Sequence, residues 1–186
     1  MAQIDAKSGS TKKILFLAVL VISAAVAVAG YVVKDRKAPN KVITSGDRAP
    51  DFRLTSTDGR SIGLADLRGK VVMVHFWATW CPTCVEELPT LAKFYEELKG
   101  GDFEMLAVSV DEGGPAEVNA FLRKNGLSIP VFLDPGGSVS RQYGTYKLPE
   151  TYIVDRRGEV RYKLIGSRDW RDPEALRVMR ELIAAR

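Results

Sequence analysis

Soft metal ligands and thiols are scarce in this chain, which has two cysteines and one histidine among 186 residues. Cysteines three positions apart cannot staple a large loop, so the disulfide framework of a small secreted fold is excluded. A structural zinc needs about four ligands, and His75 is the only other soft ligand on offer, so no metal site is expected. Lys and Arg are nowhere clustered among aromatics, and the formal net charge is only +4. Nucleic acid is therefore not an expected partner. Internal repeats and low-complexity tracts are also missing. What remains is 46% apolar and 27% charged, an ordinary balance for one folded domain with a short appendage.

The appendage is the front end. Residues Ile14 to Val33 form an apolar run interrupted only by small or weakly polar residues such as Ser23, Gly30 and Tyr31. At 1.5 Å per residue, roughly 20 helical residues cross a hydrocarbon core, and this stretch lacks the polar face of a soluble helix. Two readings stand. One is an uncleaved signal anchor, favoured by the length of the run. The other is a secretory signal cut after Ala29, since Ala27-Val28-Ala29 has the small-x-small form. No cysteine lies near the run, which excludes a bacterial lipid-anchor site. Lys7, Lys12 and Lys13 precede it, while Lys34, Arg36, Lys37, Lys41 and Arg48 follow, so flanking charge does not favour an N-in orientation. The expected organisation is a tail at 1–13, a transmembrane signal anchor at 14–33, a linker at 34–45 and a folded domain at 46–186.

Within that domain, Asp51 to Thr55 alternates, Asp58-Gly59 is a favoured turn pair, and Ser61 to Leu64 follows, which predicts a hairpin. Val71 to Trp77 is apolar except for His75 and reads as a central strand buried on both faces. Pro82 to Lys99 has helical spacing, with Val85, Leu88, Leu91, Ala92, Tyr95 and Leu98 on one side and a kink expected at Pro89. Further along come a strand at 103–110, a helix at 115–125 stopped by Gly126, a short strand at 131–133 and a helical turn or two at 138–143. Strands at 151–154 and 159–164 flank a turn, and a helix at 172–185 closes the chain, with Asp172 as N-cap and Pro173 at its first position. The pattern predicts an α/β fold, a central mixed sheet with helices on both faces.

Trp80-Cys81-Pro82-Thr83-Cys84 falls where the buried strand gives way to the helix. Cys81 is placed at the first helical turn, where unpaired N–H groups and the positive end of the dipole favour a thiolate. Cysteines so placed have pKa values lowered to roughly 3.5–7.5, and the thiolate is the attacking species in disulfide exchange. Cys84, one turn further in, is the expected resolving thiol. The chemistry is thus assigned to a redox-active Cys81–Cys84 disulfide, with no further cofactor.

The segment His75-Phe76-Trp77-Ala78-Thr79-Trp80-Cys81-Pro82-Thr83-Cys84 resembles the active-site segment of the thioredoxin superfamily. More narrowly it is similar to the TlpA/ResA/CcmG group of membrane-anchored, extracytoplasmic thiol–disulfide oxidoreductases. Ala49-Pro50-Asp51-Phe52 and the following hairpin resemble that group's N-terminal addition. The 115–125 helix and 131–133 strand resemble its central insertion, and Leu148-Pro149-Glu150-Thr151-Tyr152-Ile153-Val154-Asp155 resembles its cis-proline segment. The similarity spans about residues 46–186. It implies a thioredoxin-like fold in a single-pass protein of the cytoplasmic membrane, with the catalytic domain on the periplasmic side.

The resemblance also implies roles. Pro149 would carry a cis bond against the disulfide and Leu148 would pair with an extended substrate segment, although a trans proline opening a strand is equally compatible with the residues. Trp80, Pro82 and Thr83 would join them in contacting substrate, and Trp77 and Trp80 are expected to pack. Glu87, three residues after Cys84, matches the group's active-site glutamate, a proton acceptor for the resolving thiol; Glu86 is its solvated neighbour. His75 departs from the pattern. It is read as a hydrogen-bonded core histidine, with tuning of the thiols as the alternative. The expected partners are proteins bearing disulfides or thiols, apocytochrome c among them, and a membrane thiol electron donor that recharges the site. A disulfide-forming oxidant is the second reading. A Sco-like copper-binding assembly factor is the third, disfavoured because its cysteine spacing is wider and its histidine lies on a distal loop. A peroxiredoxin would need Pro-x-x-x-Thr-x-x-Cys, which does not occur here.

Overall fold

The computed structural model describes residues 16–23 and 42–185. The chain divides into two units, Met1–Pro39 and Asn40–Arg186. In the first, residues 16–23 are helical, with Phe16, Leu17 and Val19 through Ile22 exposed. Most of the 14–33 span expected to cross the membrane lies outside the described residues. Among the described residues, no helix is long and apolar enough to do so.

The second unit is built on one seven-stranded sheet. Its strands are β1 (Arg53–Ser56), β2 (Ser61–Gly63), β3 (Val71–Trp77), β4 (Phe103–Ser109), β5 (Val131–Leu133), β6 (Glu150–Val154) and β7 (Val160–Ile165). The helices are α1 (Pro82–Leu98), α2 (Gly114–Lys124), α3 (Ser138–Gln142) and α4 (Pro173–Ala184), and a short 3-10 turn spans Leu64–Leu67. The sheet order is β2-β1-β5-β4-β3-β6-β7. Strands β3, β4 and β5 run parallel, joined through α1 and α2, because parallel neighbours need a long crossover. The antiparallel β6–β7 hairpin closes on β3, and the β1–β2 hairpin adds to the far side through β5. The hairpin turn forms at Asp58-Gly59 as expected, and Gly59 takes the positive φ of 89° that other residues resist.

The side-chain period of two in β3 divides the core. Val71, Met73 and Trp77 face the layer holding Leu88, Leu91 and Phe94 of α1, Val118 and Leu122 of α2 and Met179 of α4. Val72, Val74 and Phe76 face the opposite side, against Leu64, Leu67, Val139, Tyr143 and Tyr152. The two faces are unequally covered. Three of the four helices lie on the first. The second is closed by the 3-10 turn, the five-residue α3 and the incoming segment. That segment includes Ile43, which is buried although it falls in the stretch read as linker. Its N–H donates to the Tyr143 carbonyl, and Gly46 and Ala49 bond to the Val160 and Gly158 carbonyls.

Helix α1 runs unbroken through Pro89, which is exposed. Its buried stripe is Cys84, Glu87, Leu88, Leu91 and Phe94, about one position round from the apolar stripe expected from spacing. The shift brings Phe94, not counted in that stripe, against Trp170 with ring centroids 5.0 Å apart. It also turns a carboxylate into the core.

Candidate active site

The motif sits where β3 ends and α1 begins. Cys81 is the N-cap of α1, with extended backbone (φ −92°, ψ 107°), and Pro82 occupies the first turn, where its missing N–H leaves no bond unmade. The Cys84 N–H donates to Cys81 Sγ at 3.3 Å. A sulfur in the capping position thus receives one of the helix's orphan donors, the geometry that stabilises a thiolate once the disulfide opens. Cys81 and Cys84 are joined as a disulfide with Cα atoms 5.3 Å apart. Cys84 is wholly buried, whereas Cys81 keeps 5% exposure. The outer sulfur can be reached by another protein's disulfide; the inner one is reached through it.

Around the motif, Pro82 and Thr83 are exposed, and Thr83 Oγ1 lies 3.6 Å from Cys81 Sγ. Trp77 is fully buried and packs as expected. Trp80 does not: it is 66% exposed, because β3 has ended and the loop turns its indole outward. The Leu148–Pro149 bond is cis. Pro149 is buried, and Leu148 packs against the cluster that contains both cysteines. Tyr146, two residues earlier, is exposed.

The loop carrying the motif is held by a residue that sequence reasoning missed. Asp111, buried just past β4, accepts the Thr79 N–H on both carboxylate oxygens at 3.1 Å, the Thr79 hydroxyl at 2.7 Å and the Ser109 hydroxyl at 2.6 Å. The sequence signal was faint: an acid immediately following an apolar strand. The β3–β4 pairing, with Trp77 opposite Ser109, is what brings it to the motif.

Glu87 lies one turn beyond Cys84 and its side chain is only 2% exposed. Oε2 accepts the Arg168 backbone N–H at 2.8 Å. Oε1 lies 3.2 Å from His75 Nε2, close enough for an ion pair but without the alignment of a hydrogen bond. Burial pushes the Glu87 pKa up to about 7, while the Arg168 N–H, the Trp170 indole and the Arg168 charge pull it down. His75 is fully buried, which lowers its pKa to about 3 and keeps the imidazole neutral. Its Nδ1 is 2.8 Å from Thr151 Oγ1, the residue paired with it across β3 and β6. The core-histidine reading therefore describes its surroundings. Nδ1 carries the one hydrogen bond of the ring, and Nε2 faces the Glu87 carboxylate. Among the described residues, no three His, Cys, Asp or Glu side chains gather to hold a metal.

Alternation along β6 sends Glu150 to the other face. There it is fully buried, 2.8 Å from Lys163 Nζ on β7, and the Tyr152 hydroxyl donates to the same carboxylate oxygen.

A mixed sheet of this order, a disulfide at a strand-to-helix junction and a cis-proline strand beside the central strand define a thioredoxin-like thiol–disulfide oxidoreductase. Comparison with known proteins agrees. The AhpC/TSA family matches residues 45–163, and the chain belongs to that family. The thiol-disulfide oxidoreductase ResA of Bacillus subtilis (strain 168) is 35% identical over 150 residues, which is 80% of this chain and 83% of the relative. A solved structure from Bacteroides thetaiotaomicron, assigned provisionally as a protein disulfide isomerase, superposes with a TM-score of 0.72 at 28% identity, over 80% of this chain and 96% of that one. Another from Chlorobium tepidum, assigned provisionally as the thiol:disulfide interchange protein DsbE, gives 0.64 at 30% identity over 76% and 96%.

Proposed function

We propose that this protein is a membrane-tethered reductase of disulfides in exported proteins. The capped sulfur of Cys81 carries the reading. As a thiolate it attacks one sulfur of a substrate disulfide, forming a mixed disulfide and expelling the other substrate sulfur, which takes up a proton. Cys84 then gives its proton to Glu87 and attacks Cys81, releasing the second substrate sulfur. The substrate gains two electrons, and the Cys81–Cys84 disulfide is restored. A membrane thiol donor returns two electrons and two protons to begin again.

Two features favour reduction over oxidation. A strong oxidant of this kind owes its potential to a stabilised reduced form. Here the nearby histidine is neutral, and a buried carboxylate follows Cys84 on the same helix, so additional thiolate charge is not favoured. Apocytochrome c thiols awaiting haem are the proposed substrates, on the strength of the motif's likeness to the ResA and CcmG group. The long apolar run at 14–33, whose described part is helical and exposed, supports anchoring in the cytoplasmic membrane with the domain outside.

The test combines potential and trapping. Equilibrated against glutathione, the pair should titrate below about −200 mV, and a value near −120 mV would overturn the reductase assignment. A Cys84→Ala variant in cells should hold an exported cysteine-bearing protein through Cys81.

A further inference from the structure

The histidine is the residue with a place in the site but no part in the exchange described above. We propose that His75 is a positioning residue for Glu87: its Nε2, 3.2 Å from Oε1, closes into a hydrogen bond when the carboxylate is ionised and leaves Oε2 to take up and return the proton of Cys84. The inference rests on the reading that Glu87 receives that proton.

The geometry supports it from three elements at once. His75 is on β3, Thr151 is opposite it on β6, two residues past the cis-proline, and Glu87 is on α1. An ionised carboxylate can only accept, so the proton of the neutral ring belongs on Nε2, and the Thr151 hydroxyl donates to Nδ1. The Thr151 hydroxyl, able to donate or accept, accommodates the tautomer that the carboxylate requires. On the other side of the carboxylate, the Arg168 N–H takes one lone pair of Oε2. Protonation at Oε2 leaves the His75 contact in place, so the ring need not change tautomer during a cycle. A hydrogen bond to the ionised form offsets part of the burial that drives Glu87 toward neutrality.

Few other charges intrude. On α1 these are Glu86, exposed, and Cys84. From the loop before α4, Arg168 approaches, while Asp169 and Arg171 pair with each other at 2.6 Å. Across β4, His75 faces Ala107, and from β6 it meets only the Thr151 hydroxyl. Glu87 and Arg168 stand at the wall of a cleft shared with Glu86, Thr90 and Arg171.

The test is single-turnover reaction of the reduced full chain with an aromatic disulfide that releases a coloured thiolate. The first release reports attack by Cys81 and the second reports resolution by Cys84. In His75→Leu, the pH midpoint of the second release should rise by about one unit, roughly a tenfold slowing below the midpoint, with the first release unchanged. In His75→Gln, whose amide can restore a donor near Nε2, the midpoint should stay within about half a unit of wild type. Thr151→Val, which frees Nδ1 for the other tautomer, should shift the midpoint in the same direction as Leu and keeps the test open if the Leu variant does not fold. An unshifted second phase in Leu or in Val, a Gln variant shifted as far as Leu, or equal shifts in both phases would overturn the proposal. Loss of both phases in the wild type would instead overturn the exchange reading on which it stands.

Discussion

Glu87→Gln in the oxidised protein should reveal the cost of the buried carboxylate directly. With the disulfide closed, neither cysteine titrates, so the pH dependence of stability is read without them. Burial raises the Glu87 pKa from 4.5 to about 7, and each unit corresponds to about 1.36 kcal/mol. The sign follows from proton binding. Between these values the folded state holds a proton that the unfolded chain releases, so stability is full below pH 4.5 and falls as pH rises toward 7. The loss is 2.5 units, about 3 kcal/mol, and it levels off above the folded pKa. The glutamine variant cannot ionise and escapes it. Relative to wild type, Glu87→Gln should therefore gain about 3 kcal/mol between pH 4.5 and 7, or roughly 6–12 °C in midpoint at about 2–4 °C per kcal/mol. His75 acts in the opposite sense, costing stability as pH falls from 6.5 toward 3. Glutamine still presents an oxygen to Nε2, so that contribution cancels to first order in the difference. The assay is denaturant unfolding of the oxidised full chain in mild non-ionic detergent, in half-unit pH steps. A difference that stays flat across the window, or that grows toward acid, would refute the reasoning.

The Glu150–Lys163 pair offers a second test of buried charge. Lys163→Met should cost about 3–5 kcal/mol by stranding the carboxylate, and Glu150→Gln in the same chain should recover most of it. Comparable losses in the single and double variants, measured by denaturant unfolding, would show that packing and not charge is at stake. Topology can be tested in intact cells held under reducing conditions, where a membrane-impermeant maleimide should label Cys81. Labelling that appears only after lysis would place the domain inside.

Much of the second unit was legible because its signals are local. The seven residues of β3, six of them apolar, the Asp-Gly turn, and proline at the start of α1, α2 and α4 each declare themselves within a few positions. The reactive pair was legible for the same reason, since a cysteine at a strand-to-helix junction is defined by its immediate neighbours. Other features depended on which strand lies beside which. Glu87 reads as a surface residue on spacing alone; it is buried because α1 packs about one position round from its apolar stripe, beneath the loop at Arg168. Asp111 became a clamp for the motif because β4 lies parallel to β3. Trp80 reads as core by composition and is exposed because the strand has already ended.

The sequence by itself determined where the elements fall and which two sulfurs pair, since hydrophobic period, turn chemistry and the end of a helix act over a handful of residues. Tertiary structure alone decided the environment of those sulfurs. The contacts of Glu87 with Arg168 and of His75 with Thr151 join residues about eighty positions apart, and the desolvation that sets their protonation arises only when the sheet and helices close around them.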